Sequence, residues 1–165
     1  MRLHARVNGA AFEADVPATA SLLDTLRAAG LTGTKEGCRV GVCGLCTVLV
    51  DDRPVSSCLF LAGCAEGADV WTVEGMATRA PWAVEAFVEH EGMQCGICTP
   101  GQVVAVASMD RDIATEPEVR RYLSGNLCRC TGYGTIVEAA LDAKRREREA
   151  LGHIDAGNHD AEGRA

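Results

Sequence analysis

Apolar and polar residues alternate between residues 3 and 7, and this period of two predicts a β-strand. Asn8 and Gly9 follow as a typical two-residue hairpin turn, so residues 11–16 are expected to return as an antiparallel strand. Pro17 then interrupts the alternation. The chain therefore begins with a predicted β-hairpin.

A short helix is predicted after the hairpin. Ser21 can cap its first turn with Asp24 at the third position, and Gly30 can end it. The expected apolar face consists of Leu22, Leu23, Leu26 and Ala29.

Three further strands are predicted in this half of the chain. Residues 47–50 form one, a turn at residues 51–52 leads to a second that ends at Val55, and residues 70–73 form the last. One helix on a small mixed sheet, with a long loop before residue 47, is a β-grasp arrangement of the ferredoxin type. This domain is assigned to residues 1–75.

After residue 75 the apolar period changes to that of helices, and four short helices are expected. Their apolar positions are Trp82, Ala83, Ala86 and Phe87, then Val103, Val104 and Ala107, then Val119 and Leu123, and finally Ile136, Val137, Ala140 and Leu141. Pro117 suits a first helical turn. Residues 76–151 are therefore expected to form an all-α domain, and the polar, aperiodic residues 152–165 a disordered tail.

Composition narrows the class of protein. The net charge is −7, which argues against a nucleic-acid partner because such a partner calls for a basic surface. No run approaches the roughly 18 apolar residues of a membrane span, and the first ten residues lack the apolar segment of a secretion signal. A cytoplasmic location is expected, where nine cysteines indicate metal binding more than disulfides.

Eight of the nine cysteines form two sets of four. The first set has the spacing C-x4-C-x2-C followed, after eleven intervening residues, by a fourth cysteine, and consists of Cys38, Cys43, Cys46 and Cys58. This is the spacing of plant-type [2Fe–2S] ferredoxins, and glycines at positions 37, 41 and 44 leave the backbone room to curl around a cluster. Structural zinc is the less favoured alternative.

The second set is less diagnostic, because pairs of cysteines far apart in the sequence are also common in zinc sites. It consists of Cys95, Cys98, Cys128 and Cys130. Its last pair is C-x-C, which suits a tetrahedral zinc site less well, so spacing favours iron–sulfur without excluding zinc. A Rieske centre needs two histidine ligands in a suitable spacing, and the four histidines do not provide it.

Cys64 is the ninth cysteine. It stands in the apolar stretch SCLFLAGC, so a buried structural thiol is expected there in preference to a ligand or a redox-active residue.

Three segments together resemble the small iron–sulfur subunit of the molybdenum hydroxylases, the family of xanthine dehydrogenase, aldehyde oxidoreductase and carbon monoxide dehydrogenase. These segments are KEGCRVGVCGLCTVLVDDRPVSSCL, QCGICTPG and LSGNLCRCTGYGTIVEA, and the resemblance covers roughly residues 2–141. Leu45 and Ile97 depart from the commoner residues at their positions. The resemblance favours iron–sulfur over zinc for the second set of cysteines.

The resemblance implies an α+β protein with a β-grasp, plant-type ferredoxin-like domain followed by a four-helix domain, each binding one [2Fe–2S] cluster. It also implies that Gln94 and Cys130 approach the pterin of a molybdopterin cofactor. That cofactor would belong to a large partner subunit, and FAD to a medium subunit, in a dimer of heterotrimers. The chain itself would hold no residue that performs chemistry on a substrate.

The expected function is therefore electron transfer from molybdenum through the second and then the first cluster to FAD or another acceptor. The substrate of the complex would be a purine, another N-heterocycle, an aromatic compound or an aldehyde. The residues leave two alternatives, a free-standing ferredoxin-like carrier and a zinc-stabilised interaction module. The long loops around the second cysteine set count against the free carrier.

Overall fold

A computed structural model describes residues 1–159. The five strands are β1 (Arg2–Val7), β2 (Ala10–Asp15), β3 (Thr47–Val50), β4 (Arg53–Ser56) and β5 (Asp69–Trp71). The six α-helices are α1 (Leu22–Ala28), α2 (Val73–Arg79), α3 (Pro81–Glu89), α4 (Thr99–Ser108), α5 (Glu116–Tyr122) and α6 (Gly134–His159).

The strands form one mixed sheet in the order β2-β1-β5-β3-β4. β1 pairs with β5 in parallel, and every other neighbouring pair is antiparallel. The predicted hairpin is confirmed: Asn8 and Gly9 both have positive φ, 53° and 83°, the conformation that a tight two-residue turn requires. The turn also aligns Leu3 and Val7 on the buried face of β1.

The predicted first helix is confirmed with its cap. Ser21 Oγ accepts the Asp24 backbone N–H at 3.1 Å, and Gly30 follows the helix with a φ of 89°. Leu22 and Leu26 pack with Leu3, Val48 and Val70 into the core of the first domain. Ala29, expected on the same apolar face, is exposed because the helix has already ended there.

The last strand is shorter than predicted. It ends at Trp71, because the next residue, Thr72, hydrogen-bonds to the side chain of Asn8. Asn8 Oδ1 accepts the Thr72 N–H at 2.9 Å, and Asn8 Nδ2 donates to Thr72 Oγ1 at 2.9 Å. Val73, predicted as the end of this strand, begins α2 instead. The domain boundary predicted after residue 75 therefore falls inside a helix.

The remaining helices form the predicted all-α domain, to which α2 is added. α3 and α6 pack along most of the length of α3, and small side chains from both helices, Ala83, Ala86, Ala139, Ala140 and Ala143, are completely buried between them. Small residues let helix axes approach closely, and Phe87 and Ile136 fill the remaining space. The α+β fold expected from the sequence is confirmed.

Polar groups also join these two helices. Asp142 on α6 accepts hydrogen bonds from Arg145 and Arg146 and contacts His90 at the end of α3, while Arg146 also pairs with Glu89. Burial alone would raise the pKa of Asp142, but the hydrogen bonds from Arg145, His90 and Arg146 outweigh it and lower the pKa. This network fixes the exposed edge of the α3–α6 contact.

α6 differs from the prediction at its end. The sequence predicts a disordered tail over residues 152–165, whereas the helix continues to His159. The rest of the predicted tail, residues 160–165, lies outside the described residues. No helix within residues 1–159 has the length and apolar character needed to cross a membrane.

β3 connects the two domains. All four of its residues are buried, Val48 and Val50 in the core of the first domain and Leu49 in the core of the helical domain. Because successive side chains of a strand point to opposite faces, this strand contributes to both cores at once.

Replacing Phe87 by Ala is expected to destabilise the helical domain, because its side chain is only 1% exposed at the α3–α6 contact. Removal of a buried phenylalanine side chain costs about 3–5 kcal/mol, and each kcal/mol lowers the midpoint of thermal unfolding by about 2–4 °C in a chain of this size. The neighbouring Val88 is 62% exposed, so Val88→Ala should change stability by less than about 0.5 kcal/mol. Equal shifts for the two variants would contradict the described packing.

Candidate metal centre

The loop between α1 and β3 carries the first three cysteines and curls around the sulfur of Cys38. Three backbone N–H groups point at Cys38 Sγ, those of Val40 at 3.4 Å, Val42 at 3.3 Å and Cys43 at 3.4 Å. These hydrogen bonds, that of Val40 above all, lower the pKa of the Cys38 thiol to about 6. Successive N–H groups that converge in this way form an anion-binding nest, which favours a thiolate.

Positive φ angles produce this curl, at Arg39 (55°), Gly41 (73°) and Gly44 (67°). Gly37 is restricted by the space around it, because an added Cβ would lie 2.6 Å from Leu45 Cδ1 and 3.0 Å from Cys43 Sγ. The predicted role of the glycines in this loop is thus supported at the positions where the backbone is most constrained.

Cys46 and Cys58 complete the first set from packed structure. Ser57, which is completely buried, joins their segments by donating from its Oγ to the Cys46 carbonyl at 2.7 Å. The two thiols contact each other, and burial raises the pKa of Cys46. The side chains of Cys38 and Cys43 also contact each other, and the Cys43 Sγ accepts the Cys38 backbone N–H at 3.4 Å. The first set is therefore arranged as two thiol pairs.

The second set shows the same arrangement. Cys95 lies between α3 and α4, Cys98 is at the N-terminus of α4, and Cys128 and Cys130 precede α6. The sulfur atoms of Cys95 and Cys130 are 3.5 Å apart, and Cys98 contacts Cys128. Burial, reinforced by the neighbouring Cys128, raises the pKa of Cys98 to about 12.

All four cysteines of the second set line one cavity of about 510 Å³. Its wall also includes Cys43 of the first set. Cys98 is buried at the inner side, whereas Cys95 and Cys130 are exposed at the outer side. Gln94 is exposed directly beside Cys95, so the two residues that the family resemblance assigns to a pterin contact, Gln94 and Cys130, both face outward.

Backbone hydrogen bonds join the two cysteine-bearing loops. The Leu127 N–H donates to the Cys43 carbonyl at 2.9 Å, which connects the residue preceding Cys128 directly to a cysteine of the first set. The side chain of Asn126 donates to the Gly44 carbonyl at 3.0 Å. The two sets of thiols are therefore neighbours in space, although the hydrogen-bonded residues Cys43 and Leu127 are 84 positions apart in the sequence.

Pairs of thiols suit a [2Fe–2S] cluster, which needs four cysteine ligands shared between two irons. Within residues 1–151, whose side chains the structure describes, no three His, Cys, Asp or Glu side chains converge as they would around a single metal ion. The amide nest at Cys38 and the glycine at position 37 supply the polar contacts and the room that a bulky inorganic group requires. The residues present thus fit the predicted clusters.

Three polar residues in this region are not among the predicted site residues. Asn126 and Gln102 are buried at the junction of the loops, and Tyr133 accepts the Cys128 N–H at 2.9 Å through its hydroxyl. Gln102 could have been recognised, because it is the only amide in the otherwise apolar helix α4. Asn126 and Tyr133 carry no comparable signal, since turns beside cysteines often contain such residues.

The prediction of a buried Cys64 is wrong, because this thiol is exposed. It lies in a short 3-10 helix, Ala62–Ala65, whose two alanines at the ends point into the core with no exposure. Residues three apart share a face in such a helix, so Cys64 is turned outward.

Comparisons with known proteins agree with this geometry. Residues 5–70 match the family model of the 2Fe-2S iron–sulfur cluster binding domain, and residues 72–141 match that of the [2Fe-2S] binding domain. The protein is therefore a two-domain [2Fe–2S] protein. The second match spans the region of the four cysteines that spacing alone left open to zinc, and it identifies that region as a [2Fe-2S] binding domain.

Proteins of similar sequence identify the family more narrowly. The chain is 42% identical over 145 residues to the xanthine dehydrogenase iron-sulfur-binding subunit of Escherichia coli O157:H7, covering 84% of this chain and 91% of that protein. It is 45% identical over 147 residues to the nicotine 6-hydroxylase small subunit of Paenarthrobacter nicotinovorans, covering 87% and 89%.

A solved structure is equally similar. A chain of quinoline 2-oxidoreductase from Pseudomonas putida 86 superposes with a TM-score of 0.84 at 42% identity, covering 90% of this chain and 96% of that one. This chain belongs to the family of small iron–sulfur subunits of the molybdenum hydroxylases.

We expect the loaded chain to contain about four iron atoms and four acid-labile sulfides, because each of its two domains is predicted to bind one [2Fe–2S] cluster through one set of four thiols. Metal analysis by atomic emission and a colorimetric sulfide assay measure both quantities. About two irons would indicate a single cluster, and zinc without sulfide would contradict the assignment.

Proposed function

We propose that this chain transfers electrons within a molybdenum hydroxylase complex, from the molybdopterin cofactor of a large subunit to FAD on a medium subunit or to another acceptor. The first cluster would be held by Cys38, Cys43, Cys46 and Cys58, and the second by Cys95, Cys98, Cys128 and Cys130. A [2Fe–2S] cluster supplies one-electron transfer when bound. The observation that carries the proposal is the direct hydrogen bond between the two cysteine loops, from Leu127 to Cys43.

The protein contributes three things to this function. Buried Cys46 and Cys98 would shield the inner side of each cluster from water, and the amides around Cys38 would stabilise negative charge on sulfur. Such hydrogen bonds and burial set the reduction potential of an iron–sulfur site. The exposed pair Cys95 and Cys130 would form the edge through which the second cluster meets the large subunit.

Exposed apolar side chains surround both cysteine sets, which favours permanent partners over a free-standing carrier. Val40, Val42 and Leu59 are each at least 60% exposed around the first loop. Ile97 is 51% exposed and Leu127 47% exposed beside the second set. Apolar residues clustered on a surface in this way are typical of protein interfaces.

In the proposed complex, Gln94 and Cys130 contact the pterin, as the family resemblance implies, and their exposure on one side of the second set is compatible with that contact. The complex is proposed to be a cytoplasmic dimer of heterotrimers. Its substrate would be a purine, another N-heterocycle, an aromatic compound or an aldehyde. The names of the relatives, which include xanthine, nicotine and quinoline, favour an N-heterocycle.

Replacing Cys43 by Ser should remove one of two EPR signals of the reduced protein and about half of its iron, because one cluster loses a thiolate ligand. The exposed Cys64 provides a matched control, and Cys64→Ser should retain both signals and all of the iron. EPR spectra of the purified complex, reduced with dithionite, give the measurement. If Cys43→Ser kept two unchanged signals, the assignment of the first ligand set would be wrong.

Replacing Ile97 by Asp should weaken binding of the chain to the large subunit by at least about tenfold, because a charge would be buried at the proposed interface. Leu61, 48% exposed on the first domain, serves as a control: Leu61→Asp should leave this affinity within about threefold, since isolated surface changes have small effects. Titration of the labelled, cluster-loaded chain into the large subunit measures both affinities. Undiminished binding of the Ile97 variant would exclude this surface as the interface.

A further inference from the structure

We propose that Asn126 is a positioning residue that holds the two cysteine-bearing loops at a fixed separation, an inference that rests on the proposed electron-transfer function. Asn126 is 8% exposed, and its side-chain amide lies between segments from both domains. Nδ2 is 3.0 Å from the Gly44 carbonyl, 3.1 Å from Thr47 Oγ1 and 3.2 Å from the Gly101 carbonyl. One amide group thus contacts the first cysteine loop, the start of β3 and the first turn of α4.

The hydrogen-bond roles of these groups are mutually consistent. The hydroxyl of Thr47 donates to the Gly44 carbonyl at 2.7 Å, so its oxygen is available to accept from Asn126. Carbonyl oxygens can only accept, so the amide nitrogen of Asn126 is the donor to Gly44 and Gly101, and its two hydrogens are shared among the three oxygens. The Gly44 carbonyl also accepts the Thr47 N–H at 3.2 Å, so what Asn126 adds is the link between the two domains, which a carboxylate or an aliphatic side chain could not donate.

Asn126 is itself held in place by its backbone. Its N–H donates to the Leu123 carbonyl at 2.9 Å, and its carbonyl accepts from Gln102 Nε2 at 2.6 Å and from the Tyr133 hydroxyl at 3.3 Å. Gln102 is completely buried. Tyr133 also accepts the Cys128 N–H at 2.9 Å, so the hydrogen bonds of Asn126 extend to a cysteine of the second set.

The backbones at this junction are in direct contact. A Cβ at Gly44 would lie 2.4 Å from the Gly125 carbonyl oxygen and 2.7 Å from Asn126 Nδ2. A Cβ at Gly101 would lie 2.2 Å from the Gly44 carbonyl oxygen. The carbonyls of Gly125 and Gly44 are backbone groups that cannot rotate away, so the loops have no room to approach further. The hydrogen bonds of the Asn126 amide hold them together.

This position makes the role of Asn126 more than general stabilisation. Gly44 directly follows Cys43, and Asn126 precedes Cys128 by two residues. The hydrogen bond from Leu127 to the Cys43 carbonyl is immediately adjacent. A movement of the Asn126 segment away from Gly44 would therefore also change the distance between Cys43 and Cys128, one cysteine of each set.

The test uses the complete, cluster-loaded complex with Asn126→Ala and, independently, Gly101→Ala. The first variant removes the donor, and the second inserts a methyl group against the Gly44 carbonyl without changing Asn126. Gly101 lies in α4, where alanine favours the helix more than glycine does, so a loss of contact in this variant would not come from a weakened helix.

Two measurements are expected to change. Pulsed EPR of the fully reduced complex measures the dipolar coupling between the two clusters, which decreases with the cube of their separation, and this coupling should fall in both variants. Hydrogen exchange at the Leu127 amide should accelerate by at least about tenfold, because its bond to Cys43 would open more often. Both individual EPR signals and the full iron content should persist.

Asn8 offers a matched control, because it is another amide whose side chain joins two segments, with Nδ2 2.9 Å from Thr72 Oγ1, away from the cysteines. Asn8→Ala should accelerate exchange only around residues 8–10 and 70–75 and leave the dipolar coupling unchanged. A normal coupling in either test variant with its full iron content, or an equal loss of coupling in Asn8→Ala, would overturn the proposal. If Asn126→Ala loses iron, the Gly101→Ala result decides.

The proposed function fails in a different way. In that case the reduced, unaltered complex would not show two EPR signals, and there would be no dipolar coupling between clusters to compare. Two signals in the unaltered complex, together with normal coupling in the variants, would refute the role of Asn126 alone.

Discussion

The contact of backbone against backbone at Gly44 and Gly101 is the constraint on which the rest of the structure depends. At 2.2 Å from the Gly44 oxygen, a side chain at position 101 has no space, so the first cysteine loop can lie directly on the N-terminus of α4. That helix begins immediately after Cys98. The close approach of the two cysteine sets therefore follows from two residues that have no side chain, and the hydrogen bonds of Asn126 and Leu127 maintain it.

Each set of thiols combines a protected side with an accessible one. Burial disfavours a charged thiolate at Cys46 and Cys98, whereas backbone amides favour it at Cys38. A bound cluster would compensate for the first effect, because its irons bind the thiolate form. The accessible sides are marked by the exposed Val40 and Val42 in the first set and by the exposed Cys95 and Cys130 in the second.

Local patterns predicted the parts of this fold that local physics determines. The Asn8–Gly9 turn, the cap at Ser21 and the stop at Gly30 each depend on a few adjacent residues, and all three are confirmed. Val73 was assigned incorrectly because a contact distant in the sequence decides it: Asn8 ends β5. Cys64 was assigned incorrectly because its apolar surroundings did not reveal the short 3-10 helix, in which two buried alanines turn the thiol outward. The thiol spacing indicated two clusters, but it contained no information that the loops touch. Asn126 could not be recognised because its three acceptors come from segments 25 to 82 residues away.

The shared strand β3 limits how separable the two domains are. Each domain matches its own family model, which suggests two modules that recombination could exchange at the boundary near residue 71. However, Leu49 packs in the core of the helical domain, whereas Val48 and Val50 pack in the core of the ferredoxin-like domain. A ferredoxin-like domain taken from another protein would therefore place a different β3 side chain in the helical core. A substitution in this one strand can therefore disturb the packing of both domains.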